Sequence, residues 1–306
     1  MDKNKVVFPF TTNEDMLMWH TYRRDNRWVR PNKGKRKDPR IVAIVNQKGG
    51  CGKTTTAINL SACLCSLDYK VLLIDSDPQA QASLGLGLEG RRPNLHDVLT
   101  KKANITSATT PTRVKGLNIV LGDPLLSGAQ IDLISCPNRE FVLKEALDLH
   151  LNFFHYDFIF IDCGPTLNLV TMNVLTAARD VLIPIQTHCY ALQGMKELLF
   201  TVDKVKENFN PHLSVLGILV TMFDKRSRVG YKVLQQIKEY FSDKVFDSII
   251  RMSVAVNEAP FFHEPVNIYK QASIGAQDYL SLAEEVVART EEVSLKYEEN
   301  VRSDGR

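Results

Sequence analysis

The sequence predicts an α/β fold, a mostly parallel twisted sheet with helices on both faces. Three observations predict it. From residue 41 onward, short β-rich runs alternate with helical stretches. Several β-rich runs are apolar almost without a break, as expected of strands covered on both faces. The first run also feeds through a glycine-rich turn directly into a helix. Strands are expected at 41–46, 70–75, 118–121, 158–162, 181–184, 215–220 and 245–249. Helices are expected at roughly 53–66, 138–151, 166–178, 191–208, 228–241 and 276–292. The stretch 85–115 is richer in turn residues and less regular. No internal repeat or long low-complexity tract interrupts the pattern.

With 306 residues, the chain can bury a sizeable core. Its 44% hydrophobic and 24% charged residues are ordinary for a globular protein. No run approaches about 18 uncharged apolar residues, so a membrane-spanning helix is not expected. Acids fall too early in MDKNKVVFPFTTNED for a secretory leader. The six cysteines sit in apolar segments without disulfide-framework spacing, which favours a reduced, cytosolic setting.

The net charge of +3 hides an asymmetry. Residues 1–40 hold 11 Lys/Arg against 5 Asp/Glu, and the remainder holds 27 against 30. Both tryptophans, Trp19 and Trp28, lie in those first 40 residues. The division expected is a basic arm at 1–40 with a short helix near 13–24, a body at 41–292, and a polar tail at 293–306. Two readings fit the arm: a solvated extension, or a patch that touches nucleic acid or docks on the body or a partner.

The strongest chemical signal is Lys48-Gly49-Gly50-Cys51-Gly52-Lys53-Thr54-Thr55. Strand, glycine-rich turn and helix make it a phosphate-binding loop. Glycines let consecutive backbone N–H groups converge on one concavity. The helix starting at Lys53 points its positive end at the same place. Lys53 would neutralise β/γ-phosphate charge, and the Thr54 hydroxyl would ligate Mg2+.

The early lysine makes this loop resemble the deviant Walker A motif of the ParA/MinD group of P-loop ATPases. The resemblance implies ATP and Mg2+ as cofactors. It also implies that Lys48 reaches the nucleotide of a second subunit while Lys53 serves its own. The bland alternative is a solvated Lys48 at a strand-to-loop corner. Asp75-Ser76-Asp77-Pro78-Gln79-Ala80-Gln81-Ala82-Ser83 is similar to the family's D-x-D-P-Q-G-N-A-[ST] switch. Asp77 would then orient the attacking water and Asp75 would support the Mg2+ shell. Ala80 and Gln81 depart from the family's Gly and Asn. The segment from Tyr156 to Pro165 resembles Walker B, with Asp162 holding Mg2+ and Gly164-Pro165 as a hinge. Cys163 reads as a small buried residue. Residues 187–190 fill the family's helix-opening turn near the subunit interface.

The resemblance covers about 41–290, through 218–241 and through Asn257-Glu258-Ala259-Pro260, Pro265-Val266, Tyr269 and Ser273-Ile274-Gly275-Ala276, the last a run of Soj-type ParA proteins. It places adenine between Thr221-Met222 and the loop 251–254, making Met222 and Arg251 candidate nucleotide contacts.

For function it implies an ATPase for DNA partition. Its ATP-state homodimer would bind double-stranded DNA non-specifically, and a ParB-like activator would stimulate slow hydrolysis. Lys225, Arg226 and Arg228 are the candidate DNA contacts; a second family arginine aligns with Ala255, and Arg251 is a possible substitute. A solvated charge cluster is the bland alternative. The expected setting is cytoplasmic and nucleoid-associated. Competing readings are a relative that positions a chemoreceptor cluster or organelle, a nucleotide-gated scaffold, and a MinD-like membrane ATPase. The acid-rich tail EEVVARTEEVSLKYEENVRSDGR argues against membrane binding. Cysteine placement argues against a shared iron–sulfur cluster of the nitrogenase-iron-protein kind, and the arm is too short and proline-interrupted for a helix-turn-helix.

Overall fold

The structure is a computed structural model that describes residues 38–150, 155–188 and 191–304, with side chains described through residue 291. The helix expected near 13–24, both tryptophans and nearly all of the basic arm lie outside the described residues. Strand β1 (Arg40–Ile44) enters the glycine-rich turn and helix α1 (Lys53–Ser66) leaves it. Next come β2 (Val71–Asp75), the one-turn α2 (Gln81–Gly85), α3 (Leu95–Leu99) and α4 (Ile105–Ala108). A short β3 (Thr109–Pro111) and β4 (Leu117–Val120) precede α5 (Ala129–Ile134) and α6 (Val142–Asp148). Then follow β5 (Phe158–Asp162), α7 (Leu169–Ala177), β6 (Asp180–Gln186) and α8 (Ala191–Asn208). The chain closes with β7 (Ser214–Thr221), α9 (Arg228–Phe241), α10 (Val254–Glu258), α11 (Val266–Tyr269) and the long α12 (Ile274–Asp304).

Among the described residues, seven strands form one sheet in the order β3-β4-β2-β5-β1-β6-β7. Every pairing is parallel except β3 with β4 at the edge. Alternation along the strands builds two cores. Ile41, Ala43 and Val45 face one cluster with Ile159 and Ile161. Val42 and Ile44 face the other with Phe158 and Phe160. Both faces are thus covered, which explains the unbroken apolar runs. Helix α1 is buried on nearly all sides and packs against α12. At the base of the sheet, a buried Arg40–Asp180 ion pair joins β1 to β6, and Asp180 also accepts from the Ser214 hydroxyl.

Several expectations need correction. Residues 245–249 are not a strand: one isolated bridge, Ile218 with Val245, joins them to β7, and a second, Phe223 with Arg251, follows just beyond both. The reason lies on α12. The amides of Phe246 and Ile250 bond β7 carbonyls. Those of Asp247 and Ser248 donate instead to the buried Glu285, at 2.9 and 2.8 Å. The Arg251 amide donates to Asp278, one heptad earlier on the same helix. Two carboxylates have replaced a strand as acceptors.

The helix expected at 138–151 is confined to Val142–Asp148, and that at 166–178 begins only at Leu169, capped by Asn168. The irregular 85–115 stretch contains α3, α4 and the edge strand β3. Helix α12 continues through Asp304, so residues 293–304 of the expected tail are helical.

Between Val181 and Leu182 the register against β7 slips by one residue. Gly217 follows the slip, and a Cβ there would come within 2.4 Å of the buried Phe246 ring. The ring therefore occupies the space a side chain would need. Gly217→Ala is expected to destabilise the fold by about 1–3 kcal/mol through overpacking, read as a lower urea midpoint at unchanged slope.

Candidate functional site

The carboxyl ends of β1, β2, β5, β6 and β7 share one edge of the sheet, where open α/β folds place ligands. The phosphate loop lies there between β1 and α1. Gly50 (φ 70°) and Gly52 (φ 88°) adopt left-handed conformations that β-carbons disfavour. A Cβ on Gly52 would also meet Thr221 and Met222 at about 3.5 Å. Asn46 steadies the entry: its amide donates to Pro184 O at 2.7 Å and its oxygen accepts from Lys48 N at 2.9 Å.

The loop is pinned from the far strands as well. The Thr221 hydroxyl donates to Cys51 O at 2.7 Å. Gln186 donates to Gly50 O at 3.1 Å and is held by His188 at 2.8 Å. Gln186 was not singled out from the sequence, and Thr221 was named only beside the adenine position. Their role is carried by strand-end position, which becomes visible only once β6 and β7 are placed.

The two lysines of the loop differ sharply. Lys53 opens α1 and is buried, with Nζ folded back to 3.3 Å from Lys48 O. Its ammonium lies inside the cradle. Lys48, Gly49 and Gly50 are exposed, whereas Cys51 is buried and its thiol is pushed up by burial. Thr54 and Thr55 follow in the first turn of α1 and are partly buried.

The acidic side of the site faces this cradle. Parallel pairing places Asp75 directly opposite Asp162 at the ends of β2 and β5. Both are fully buried. Burial lifts the Asp75 carboxyl to about 6, against the opposing pull of its hydrogen bonds. Those come from the Ser83 hydroxyl at 2.7 Å, Ser83 N at 2.9 Å and Asp77 N at 3.3 Å. Ser83, quoted in the switch motif without a role, is therefore the clamp on Asp75. It also accepts from Gly122 N at 3.0 Å. Gly122 has no room for a side chain, since a Cβ would approach the Asp75 carboxyl carbon to 2.8 Å.

Asp162 has no such relief. Neither carboxylate oxygen accepts a hydrogen bond of normal geometry. Burial, then the Asp75 charge, raises its pKa well above the usual carboxylate range; the neighbouring Thr54 hydroxyl and the Lys53 charge act in the opposite sense. A buried anion without a partner, beside a hydroxyl, a lysine and a phosphate cradle, fits a divalent cation. Among the described residues, no cluster of three or more His, Cys, Asp or Glu is arranged to hold a metal alone. That suits Mg2+, which takes one or two protein oxygens and completes its shell with water and phosphate.

Asp77 is buried and accepts from Gln79 N at 2.9 Å. Its carboxylate lies across from Gly164, where a Cβ would sit 3.5 Å away. The switch after β2 and the strand end of β5 are joined next to it, where Ser76 N and the Ser76 hydroxyl donate to Asp162 O at 2.9 and 2.6 Å. Ala80, the N-cap of α2, has φ 49°, a left-handed conformation that glycine tolerates better.

On the other side of Gly52, a cavity of about 90 Å³ is lined by Thr55, Met222, Arg251, Ser253, Asn257 and Tyr279. Met222 and Arg251, the two residues expected beside adenine, both line this cavity. Arg251 does not fit its second expected role, contact with DNA. Its guanidinium is largely buried against Asp278, at 2.5 Å from Nη2. Lys225, Arg226 and Arg228 are exposed around the start of α9. Arg226 is 87% exposed by side chain and pairs with Asp224 at 3.0 Å. Ala255 is buried.

A family model described as an AAA domain (AAA_31) matches residues 39–215. The chain is 41% identical to the chromosome partitioning protein ParA of Caulobacter vibrioides, over 84% of this chain and 97% of that protein. It is 43% identical to the sporulation initiation inhibitor protein Soj of Bacillus subtilis, over 81% of this chain and 98% of that protein. Among solved structures, it resembles cobyrinic acid a,c-diamide synthase of Mycobacterium smegmatis with bound ADP and magnesium. That match has a TM-score of 0.70 and 31% identity, covering 80% of this chain and 93% of that one.

The unrelieved Asp162 generates a prediction. Asp162→Asn removes a buried charge facing another, so the nucleotide-free protein should gain about 1–3 kcal/mol of stability. The same variant should lose Mg2+-dependent ATP hydrolysis. Thermal melts with and without Mg2+, beside a phosphate-release assay, check both; a variant less stable than wild type without Mg2+ contradicts the assignment.

Proposed function

The chain belongs to the ParA/Soj family of chromosome-partitioning P-loop ATPases, and we propose that its ATP-bound form is a dimer that holds DNA until partner-stimulated hydrolysis releases it. The chain is an ATPase that uses ATP and Mg2+ for DNA partition. The observation that carries the site assignment is Asp162, buried and unpartnered beside Thr54 and Lys53.

In this reading, the loop amides and the helix α1 terminus hold the phosphates, and Lys53 neutralises charge from within the cradle. Thr54 and Asp162 hold Mg2+, with Asp75 supporting that shell. Bound there, Mg2+ would screen the charge developing on the transferred phosphoryl group. Asp77 orients the attacking water. Its carboxylate lies close to the Gly164 turn, so the switch after β2 and the turn after β5 can respond together.

Lys48 serves a second copy. Lys53 already fills the inside of its own loop, whereas Lys48 is exposed. A cation from a second subunit makes the triphosphate a shared counterion, so ATP drives dimerisation. Lys48→Ala is expected to bind ATP yet remain monomeric, whereas Asp77→Ala should bind ATP and stay dimeric without hydrolysing it. Light scattering with ATP and with ADP separates the two.

DNA is held through phosphates by Lys225, Arg226 and Arg228, without base reading. The exposed Asp224–Arg226 pair is no obstacle, since solvent-exposed ion pairs contribute little. The basic residues of 1–40 add to this footprint. The activator is a ParB-like protein, and the cycle operates on the nucleoid in the cytoplasm. Gel shifts with plasmid DNA are expected to show binding in ATP and not in ADP. Arg226→Ala should weaken it and lower the salt slope by about 1, and deletion of residues 1–37 should weaken it further. ATP-independent binding contradicts the proposal.

A further inference from the structure

The base-side cavity has a supporting residue that no motif marks. Its wall consists of two extended segments leaving the sheet side by side. Phe223 N donates to Ile250 O at 3.0 Å, and Met252 N donates to Phe223 O at 3.1 Å. Arg251 sits between them and contributes to the cavity lining. Asp278, on α12, holds this arginine three ways. It accepts from the Arg251 backbone N at 3.0 Å, from Nε at 2.8 Å and from Nη2 at 2.5 Å. The Asp278 side chain is 1% exposed and that of Arg251 17%.

A guanidinium carries five N–H donors in a rigid fork and accepts nothing. Asp278 occupies the Nε and Nη2 edge. No hydrogen bond engages Nη1 among the described residues. The bidentate grip fixes the guanidinium plane in one orientation, on a residue that lines the cavity. The ring nitrogens of a nucleotide base are acceptors of matching chemistry.

We propose that Asp278 is a positioning residue for the nucleotide base: it locks the Arg251 guanidinium as the donor wall of the base cavity. This rests on the ATP assignment of the neighbouring phosphate loop. It ties α12 to the nucleotide as well, because Tyr279, the next residue, lines the same cavity and lies 3.4 Å from the Thr56 hydroxyl of α1.

The test separates base from phosphate. Calorimetry measures the binding of ATP and of inorganic tripolyphosphate, each with Mg2+, to wild type, to Asp278→Asn and to the double variant Arg251→Gln/Asp278→Asn. The double variant leaves no buried charge unpaired, so it provides a folded reference if the single variant melts. The expected result is ATP affinity lower by on the order of tenfold, the scale of one charge-assisted hydrogen bond, with tripolyphosphate affinity unchanged. In turnover, KM for ATP should rise while kcat stays within twofold. Equal losses for both ligands would assign the pair a purely structural role, and unchanged ATP affinity would also overturn the proposal. A wild-type protein that binds tripolyphosphate and ATP equally well would overturn the base contact but leave the phosphate site intact. A wild type that binds neither would overturn both.

Discussion

Two carboxylates forced side by side in a dry sheet set the condition that the rest of the site must meet. Parallel register gives Asp75 and Asp162 no freedom to separate, because each ends its own strand. Like charges at low dielectric repel strongly and retain little hydration to soften the repulsion. Asp75 is relieved locally by Ser83 and the Asp77 amide, and Gly122 keeps the space for that arrangement open. Asp162 is left for charge from outside the strand pair. Lys53 supplies part of it, and the chemistry of the donors suits Mg2+ for the remainder. Ligand-free stability has been given up at the place where ligand-dependent stability is gained.

Helix α12 plays an analogous part away from the phosphates. Its carboxylates at 278 and 285 face the same neighbouring segment and accept main-chain amides that would otherwise seek a strand. Arg289, one turn on, pairs with Glu285, donates to the Val245 carbonyl at 2.7 Å and packs over the Phe246 ring. The segment 245–251 is consequently held on one side by main-chain bonds to β7 and its extension and on the other by carboxylates of α12.

Much of this was legible in the sequence, for identifiable reasons. The central strands were readable because burial on both faces leaves no polar alternation, and the phosphate loop because glycines, lysine and threonine must stand at set spacing. Helices α1, α8 and α9 have their expected bounds. Residues 245–249 misled because an apolar run cannot reveal that a glutamate 37 and 38 residues later supplies acceptors for two of its amides. Strand β3 was missed because three residues at an edge carry almost no periodic signal. Arg251 looked available for DNA because the sequence does not display its pairing with Asp278. Ser83 stands in the switch motif, but its grip on Asp75 and Gly122 shows only in the fold, and Gln186 reaches the loop from a strand end that nothing local marks.

The left-handed alanine at position 80 has a mechanical consequence. A β-carbon in that conformation costs roughly 1–2 kcal/mol, which glycine would not incur. The bend that carries Asp77 toward the Gly164 turn is therefore held under tension by its surroundings: Ala80 N on Asp77 O at 2.9 Å before the bend, and Ser83 on Asp75 after it. The loop after β2 thus keeps its one strained residue between two fixed points, the Asp77 carbonyl and the Asp75 carboxylate.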